Sequence, residues 1–282
     1  MGAYMNQAGP PIEEPRRLFA GAAQEYRRYR WGYPPALVDR VVELLQDVEG
    51  GSGPVMDLGT GPGTVAVELA RRGLEVVAVD PSPEMLVAAK RAAAEAGVGE
   101  RITWHTGAAE RLPDVPPLRA VVIADAFHWM QRERVCGVLG DLVLPGGFMA
   151  VLSRRAPGCE RPHWHAAVEA VRRKYLVGNP RAAGRGYGAR LAEDHASVLR
   201  CSAFCMLTST DVPHTVTLTL DEVVGRQFTK AFSSPDVLGE DREAFEAELR
   251  RQLSALEPSG RFIDETVAQL LVARRPAPGA DS

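Results

Sequence analysis

The stretch that most restricts this chain is Val55-Met56-Asp57-Leu58-Gly59-Thr60-Gly61-Pro62-Gly63-Thr64, where an apolar run breaks into three glycines at alternate positions and then into a helical pattern over 63–72. Glycines at such a turn let the backbone double back and let a ligand reach main-chain N–H groups that a Cβ would screen. A second apolar run, Leu74–Val79, ends in Asp80, 17 residues beyond Gly63. That spacing predicts a carboxylate at the carboxyl end of the neighbouring strand, in position to accept hydrogen bonds from both hydroxyls of a ribose. A nucleoside cofactor follows. Its identity stays open on this pattern, because Gly61-Pro62-Gly63-Thr64-Val65-Ala66 also fits a G-x-G-x-x-A dinucleotide fingerprint.

The rest of the chain fits the same architecture. Between residues 54 and 152 the apolar runs Pro54–Leu58, Leu74–Val79, Ile102–His105, Ala120–Ala124 and Gly147–Leu152 alternate with helical patterns near 63–72, 83–97 and 131–140. Strand alternating with helix at this spacing predicts an α/β, doubly wound parallel sheet with right-handed crossovers. Five zones result: a loose N-terminal tail over 1–17, helices over 18–50 broken at Gly32-Tyr33-Pro34-Pro35, a nucleoside-binding core over 51–152, a Pro/Gly/Arg-rich insertion over 153–200, and a C-terminal completion of the sheet over 201–275. In the last zone Phe204–Ser209, His214–Leu220 and Glu265–Ala273 read as strands, and Asp221–Ala231 and Arg242–Leu256 as helices.

Composition narrows the partners. The 282 residues are 45% hydrophobic and 24% charged, which is the balance of a globular protein able to bury a large core without staples. A net charge of −3 provides no basic field for a nucleic-acid backbone. No apolar run approaches the length of a membrane span, and the polar start of the chain lacks the order of a signal peptide, so a cytoplasmic protein is expected. Four cysteines without a C-x-x-C pair fit a reducing compartment, with Cys201 and Cys205 as small core residues.

Five segments in order resemble the class I S-adenosylmethionine-dependent methyltransferases, in their small-molecule branch with a Rossmann-like core. Met56-Asp57-Leu58-Gly59-Thr60-Gly61-Pro62-Gly63 looks like that family's first motif, whose glycine loop wraps the methionine part of the cofactor. Val79-Asp80-Pro81-Ser82-Pro83-Glu84-Met85-Leu86 is similar to the second, with Asp80 on the ribose and Pro81 and Met85 beside adenine. Gly107-Ala108-Ala109-Glu110-Arg111-Leu112-Pro113 resembles the third, at the adenine edge, although the family usually carries Asp where this chain has Ala108. Ala124-Asp125-Ala126-Phe127-His128-Trp129 looks like the fourth, which faces the methyl group, and Leu144-Pro145-Gly146-Gly147 resembles the turn before the fifth strand. The resemblance implies a seven-stranded sheet with its last strand antiparallel, a helical cover over the active site built from 18–50 and 153–200, S-adenosyl-L-methionine as cofactor, and methyl transfer to an O or N atom of a small molecule of secondary metabolism. It also implies a cofactor site made of Asp57, Gly59, Thr60, Gly61, Gly63, Asp80, Pro81, Met85, Ala108, Ala109, Glu110, Asp125, Ala126, Phe127 and Trp129. Two other classes are the alternatives: a nicotinamide-dependent oxidoreductase and a non-catalytic protein that holds an adenosine cofactor.

Four further groups of residues are candidates. His128 follows the fourth strand immediately, and an imidazole suits proton removal near neutrality, so it is the expected general base. Tyr26, Tyr29 and Tyr33 share a helix face, and with Arg30 they resemble a segment folded over the cofactor, Arg30 being suited to the methionine carboxylate and Tyr33 to the substrate. His163-Trp164-His165 is a candidate substrate-pocket segment, its histidines facing one way on an extended chain, with no third ligand fixed by spacing for a metal. Arg181, Arg185 and Arg190 read as a solvated face or a lid. The partner expected is a small-molecule acceptor, not nucleic acid or membrane, and the protein is expected to be a monomer or homodimer.

Overall fold

A computed structural model describes residues 23–48, 53–156, 158–183 and 194–277. The expected tail over 1–17, the start of the helices expected over 18–50, Arg185 and Arg190 lie outside the described residues, as does the side chain of Arg181. In chain order the elements are α1 (Ala23–Tyr29), α2 (Pro35–Gln46), β1 (Val55–Leu58), α3 (Thr64–Arg71), β2 (Val76–Asp80), α4 (Pro83–Glu95), β3 (Ile102–Thr106), β4 (Leu118–Ala124), α5 (Arg132–Leu142), β5 (Val143–Ser153), α6 (His165–Leu176), α7 (Pro180–Ala183), α8 (His195–Arg200), β6 (Met206–Thr219), α9 (Leu220–Gly225), α10 (Pro235–Leu238), α11 (Arg242–Leu256) and β7 (Arg261–Arg274).

The sheet has seven strands in the order β3-β2-β1-β4-β5-β7-β6. Strands β1 to β5 are parallel, and β7 runs against both β5 and β6. Every residue of β1 and β2 is buried, which explains why they read as unbroken apolar runs: helices cover both faces of a parallel sheet. One face packs on α2 and α3 through Leu37, Leu45, Val65 and Leu69; the other packs on α5 and α8 through Leu139 and Leu199. The strand order reverses between β1 and β4, so the ligand crevice of such a sheet opens at their carboxyl ends.

A third core lies off the sheet. Strands β6 and β7 pair over fourteen residues, from Met206↔Arg274 to Thr219↔Arg261, but β5 meets β7 only between Phe148↔Arg274 and Ser153↔Gln269. Residues 261–268 therefore overhang the carboxyl end of β5, and this overhang carries Phe262 and Leu218 into a cluster with Trp164, Val168, Phe228, Phe245 and Leu249. The cluster is the helical cover. It draws on α6 as expected, but also on α9, α10 and α11, which the sequence placed with the sheet; α2 packs beneath the sheet instead. Amphipathic spacing defines an apolar face without saying which neighbour receives it.

Two readings of secondary structure and one of burial are corrected. The two strands expected over Phe204–Ser209 and His214–Leu220 are one strand, β6, which continues through Pro213. As an edge strand, β6 can accommodate a residue without an N–H. The helix expected over Asp221–Ala231 stops at Gly225, where the ring of Tyr29 packs so close that a Cβ has no room. Cys201 and Cys205 are exposed rather than core.

Candidate functional site

At the end of β1 the chain turns through Gly59, Gly61 and Gly63, with φ of +73°, +55° and +81°. L side chains are strained there. A Cβ on Gly59 would lie 2.7 Å from Cβ of Ala126, whereas one on Gly61 would meet nothing within 4 Å, so Gly61 faces open space. Asp57 holds this loop from beneath: its Oδ2 accepts from Thr60 Oγ1 at 2.6 Å and from the Ala66 N–H at 2.9 Å, while its buried Oδ1 has no partner among the described residues. Burial pushes the Asp57 carboxyl up to about 7, against the pull of those two donors. Asp80, at the end of β2, accepts from the Gly61 N–H and the Ser82 N–H, each at 2.8 Å. Burial likewise raises it, to about 6.

The opposite wall comes from β4. Asp125 is the one described non-glycine residue with positive φ, at +49°, a conformation that carries strain for this residue type. Its carboxylate takes the Tyr33 hydroxyl at 2.9 Å and pairs with Arg154, whose guanidinium also lies 4.3 Å from the Tyr33 ring centroid. Although burial works against the charge, Arg154 and then Arg30 outweigh it and hold Asp125 below the usual carboxylate range. A short 3-10 turn over Phe127–Trp129 follows. There His128 is exposed and stacks on His195 with centroids 6.5 Å apart. His128 is not among the residues that line the cleft; desolvation, opposed by Asp125, lowers its imidazole below the ordinary value.

The cleft between these walls brings together Tyr26, Gly59, Gly61, Asp80, Pro81 and Met85 from the expected set, and from beyond β3 and β4 Ala108, Ala109, Glu110, Asp125, Ala126 and Trp129. Glu110 also ties the two sides, because its carboxylate accepts from the Gln131 N–H at 2.8 Å. Asp57, Thr60 and Gly63 sit behind the loop as its support. Phe127 is buried in the core under α8, and Tyr29 packs on Gly225. Arg30 and Tyr33 stand just outside the cleft, Arg30 with its guanidinium 4.9 Å from the Tyr26 ring centroid. The lining further includes Leu58, Ser82, Gly107, Ala124 and Met130, all next to residues the motifs name. Arg154 had no such signal beyond its position one residue past β5.

The segment 163–165 is corrected. His163 is exposed, Trp164 is 4% exposed with its indole N–H donating to the Ile263 carbonyl at 2.9 Å, and His165 opens α6. Trp164 packs edge-on against Phe262 in the cover core, so the segment is a helix start anchored by an aromatic and not an extended pair of ligands. Among the described residues no group of three His, Cys, Asp or Glu side chains is placed to hold a metal ion, and no helix is long and apolar enough to cross a membrane.

Comparison with known proteins agrees with this geometry. Residues 55–147 match the family described as "Methyltransferase domain". An uncharacterized methyltransferase of Mycobacterium tuberculosis is 33% identical over 135 residues, 48% of this chain and 51% of that protein. A trans-aconitate 2-methyltransferase of Mycobacterium ulcerans is 34% identical over 123 residues, 43% of each protein. The chain thus spans about half the length of the curated relatives it matches. A solved structure of a type II methyltransferase from Anaeromyxobacter dehalogenans superposes with a TM-score of 0.56 at 19% identity, covering 88% of this chain and 99% of that one, and shares the fold. The 3-2-1-4-5-7-6 sheet and the glycine loop accord with the methyltransferase domain that residues 55–147 match, and in these features the chain is similar to the class I S-adenosylmethionine-dependent methyltransferases.

Proposed function

We propose that the protein binds S-adenosylmethionine in the cleft at the ends of β1, β2 and β4 and transfers its methyl group to an O or N atom of a small molecule. The observation that carries this is the pairing of an open glycine turn at Gly61 with the Asp80 carboxylate, joined by a 2.8 Å hydrogen bond. Each Asp80 oxygen holds one backbone donor and keeps a lone pair for a ribose hydroxyl. Apolar Pro81 and Met85 suit a purine face, and the backbone at Ala108 and Ala109 replaces the side chain that the family usually supplies there. Bound S-adenosylmethionine supplies an electrophilic methyl group on a sulfonium.

This chain's own residues then do three things. Tyr26 and Trp129 wall the cleft with aromatic faces, which attract a cationic centre and exclude water. Asp125, fixed by Tyr33 and Arg154, keeps a negative charge at the end of β4. His128, neutral near pH 7, takes the acceptor's proton as the acceptor aligns, a role that typically contributes ~10²–10⁴ in rate beyond alignment itself. Calorimetric titration with S-adenosylhomocysteine tests the reading. The wild type should bind it, and Asp80→Ala should weaken binding by about 1.5–3 kcal/mol through loss of a charge-assisted bond. No binding to the folded wild type would overturn it.

A further inference from the structure

The inner side of the helical cover holds cations in excess. Arg154, Arg155 and Arg172 are each matched by a carboxylate, Asp125, Asp264 and Glu169 respectively. Those pairs use up the acids that face the group. Arg30, Arg226 and Lys230 remain, with Arg161 at the rim, and none of the four pairs with a carboxylate among the described residues. The Nε of Arg30 donates to Thr229 Oγ1 at 2.9 Å, and Thr229 adjoins Lys230 in sequence. The Arg226 guanidinium lies over the Trp31 ring, 3.3 Å from its centroid, and makes no hydrogen bond with the described residues. The indole N–H of Trp31 is itself buried without an acceptor among the described residues. The Lys230 ammonium stands 6.0 Å from the Phe232 ring centroid and has no acceptor among the described residues.

The arrangement is therefore one of cations without carboxylates: among the described residues Arg226 and Lys230 have no side-chain acceptor, Arg30 has only the Thr229 hydroxyl, and the Trp31 indole N–H stands unpartnered beside them. Clustered charges of one sign oppose one another's ionisation, here with Arg30, Arg226 and Lys230 half-buried and Arg161 exposed. Burial and the neighbouring Arg30 push the Arg226 guanidinium down to about 9, and burial with Arg172, Arg30, Arg226 and Arg161 holds the Lys230 ammonium well below its usual range. His165 is pushed down to about 4 by burial and then by Arg172, Arg161 and Lys230. Unpaired charge of this kind is costly, and a single oxyanion placed among the four donors would relieve it. The cluster also adjoins the cleft, since Arg30 stacks on Tyr26, which lines it.

We propose that Arg30, Arg226 and Lys230, with Arg161 at the rim, bind an oxyanion group, a carboxylate or a phosphate, carried by the molecule that enters the cleft beside Tyr26. That this molecule is the methyl acceptor rests on the methyl-transfer reading; the anion site itself does not.

Calorimetric titration with citrate and, separately, inorganic phosphate, at an ionic strength fixed with sodium chloride, tests the site. At least one anion should bind the wild type saturably, and Arg226→Gln or Lys230→Met should weaken that binding by about tenfold or more. Binding of citrate alone assigns a carboxylate, and binding of phosphate alone a phosphate ester. Lys230→Arg, which keeps the charge, should retain binding and covers the case in which Lys230→Met does not fold. S-adenosylhomocysteine affinity should stay within about twofold in all three variants. If the folded wild type binds neither anion beyond the chloride control, or the folded variants bind as the wild type does, the proposal is wrong. If anions bind as expected but S-adenosylhomocysteine does not, the methyl-transfer reading fails and the anion site stands.

Discussion

Asp57→Asn isolates the cost of holding a carboxyl group under the glycine loop. In the unfolded chain an aspartate ionises near 3.8; in the native protein Asp57 does so at about 7. Between pH 5 and 7 the native state therefore holds a proton that the unfolded chain has lost. Stability that is fully present below the unfolded value is lost as pH rises through the native one, at up to ~1.4 kcal/mol per pH unit. Over that interval Asp57 alone accounts for a fall of about 2–3 kcal/mol, an upper bound for a group buried this completely. Asparagine can keep the geometry, because its carbonyl can accept from Thr60 Oγ1 and the Ala66 N–H while its amide nitrogen takes the place of the unpartnered Oδ1. It does not titrate. Urea denaturation of the ligand-free protein at pH 5, 6, 7 and 8 should thus show the wild type losing about 2–3 kcal/mol more than Asp57→Asn as pH rises. Parallel curves for the two proteins would refute the argument, because the remaining titrating groups, Asp80 included, are common to both.

Gly59→Ala should lower S-adenosylhomocysteine affinity in calorimetry and cost about 1–3 kcal/mol in denaturation, because its Cβ would sit 2.7 Å from that of Ala126 on a backbone with φ of +73°. His128→Ala should lower kcat by ~10²-fold or more while cofactor affinity holds. The wild-type rate should fall at acid pH as the imidazole protonates, at a pH below the ordinary histidine range, and the variant should lack that limb. A variant that keeps its turnover and loses cofactor binding would make His128 a wall of the cleft instead.

What the sequence disclosed follows from how local each feature is. The glycine turn and the carboxylate at the end of β2 are properties of one strand–turn–helix and its neighbour, so Gly59, Gly61 and Asp80 could be placed from spacing alone. The ion pair between Arg154 and Asp125 joins different strands, and the Tyr33 hydroxyl reaches Asp125 across 92 residues of chain, so neither leaves a short-range trace. The contact of Arg30 with Thr229 spans 199 residues, and the two sites look like unrelated surface polar residues when read in line. Trp164 misled for a different reason. Flanked by two histidines, it resembles a binding segment, and only the pairing of its indole with Ile263 shows that it anchors the cover.

The placement of β7 has a consequence for how the molecule is assembled. The strand of the sheet that comes last in the chain is not at its rim; it fills the gap between β5 and β6. Before residues 261–274 emerge from the ribosome, β5 is an open edge and β6 has no strand to pair with. The cover helices have no overhang to rest on either, since it is made of the same strand. Unpaired strand edges are hazards during synthesis. The cofactor half of the site, by contrast, comes from residues before β5 and is encoded more than one hundred residues earlier. A nascent chain can thus complete its glycine turn well before it can enclose what binds there.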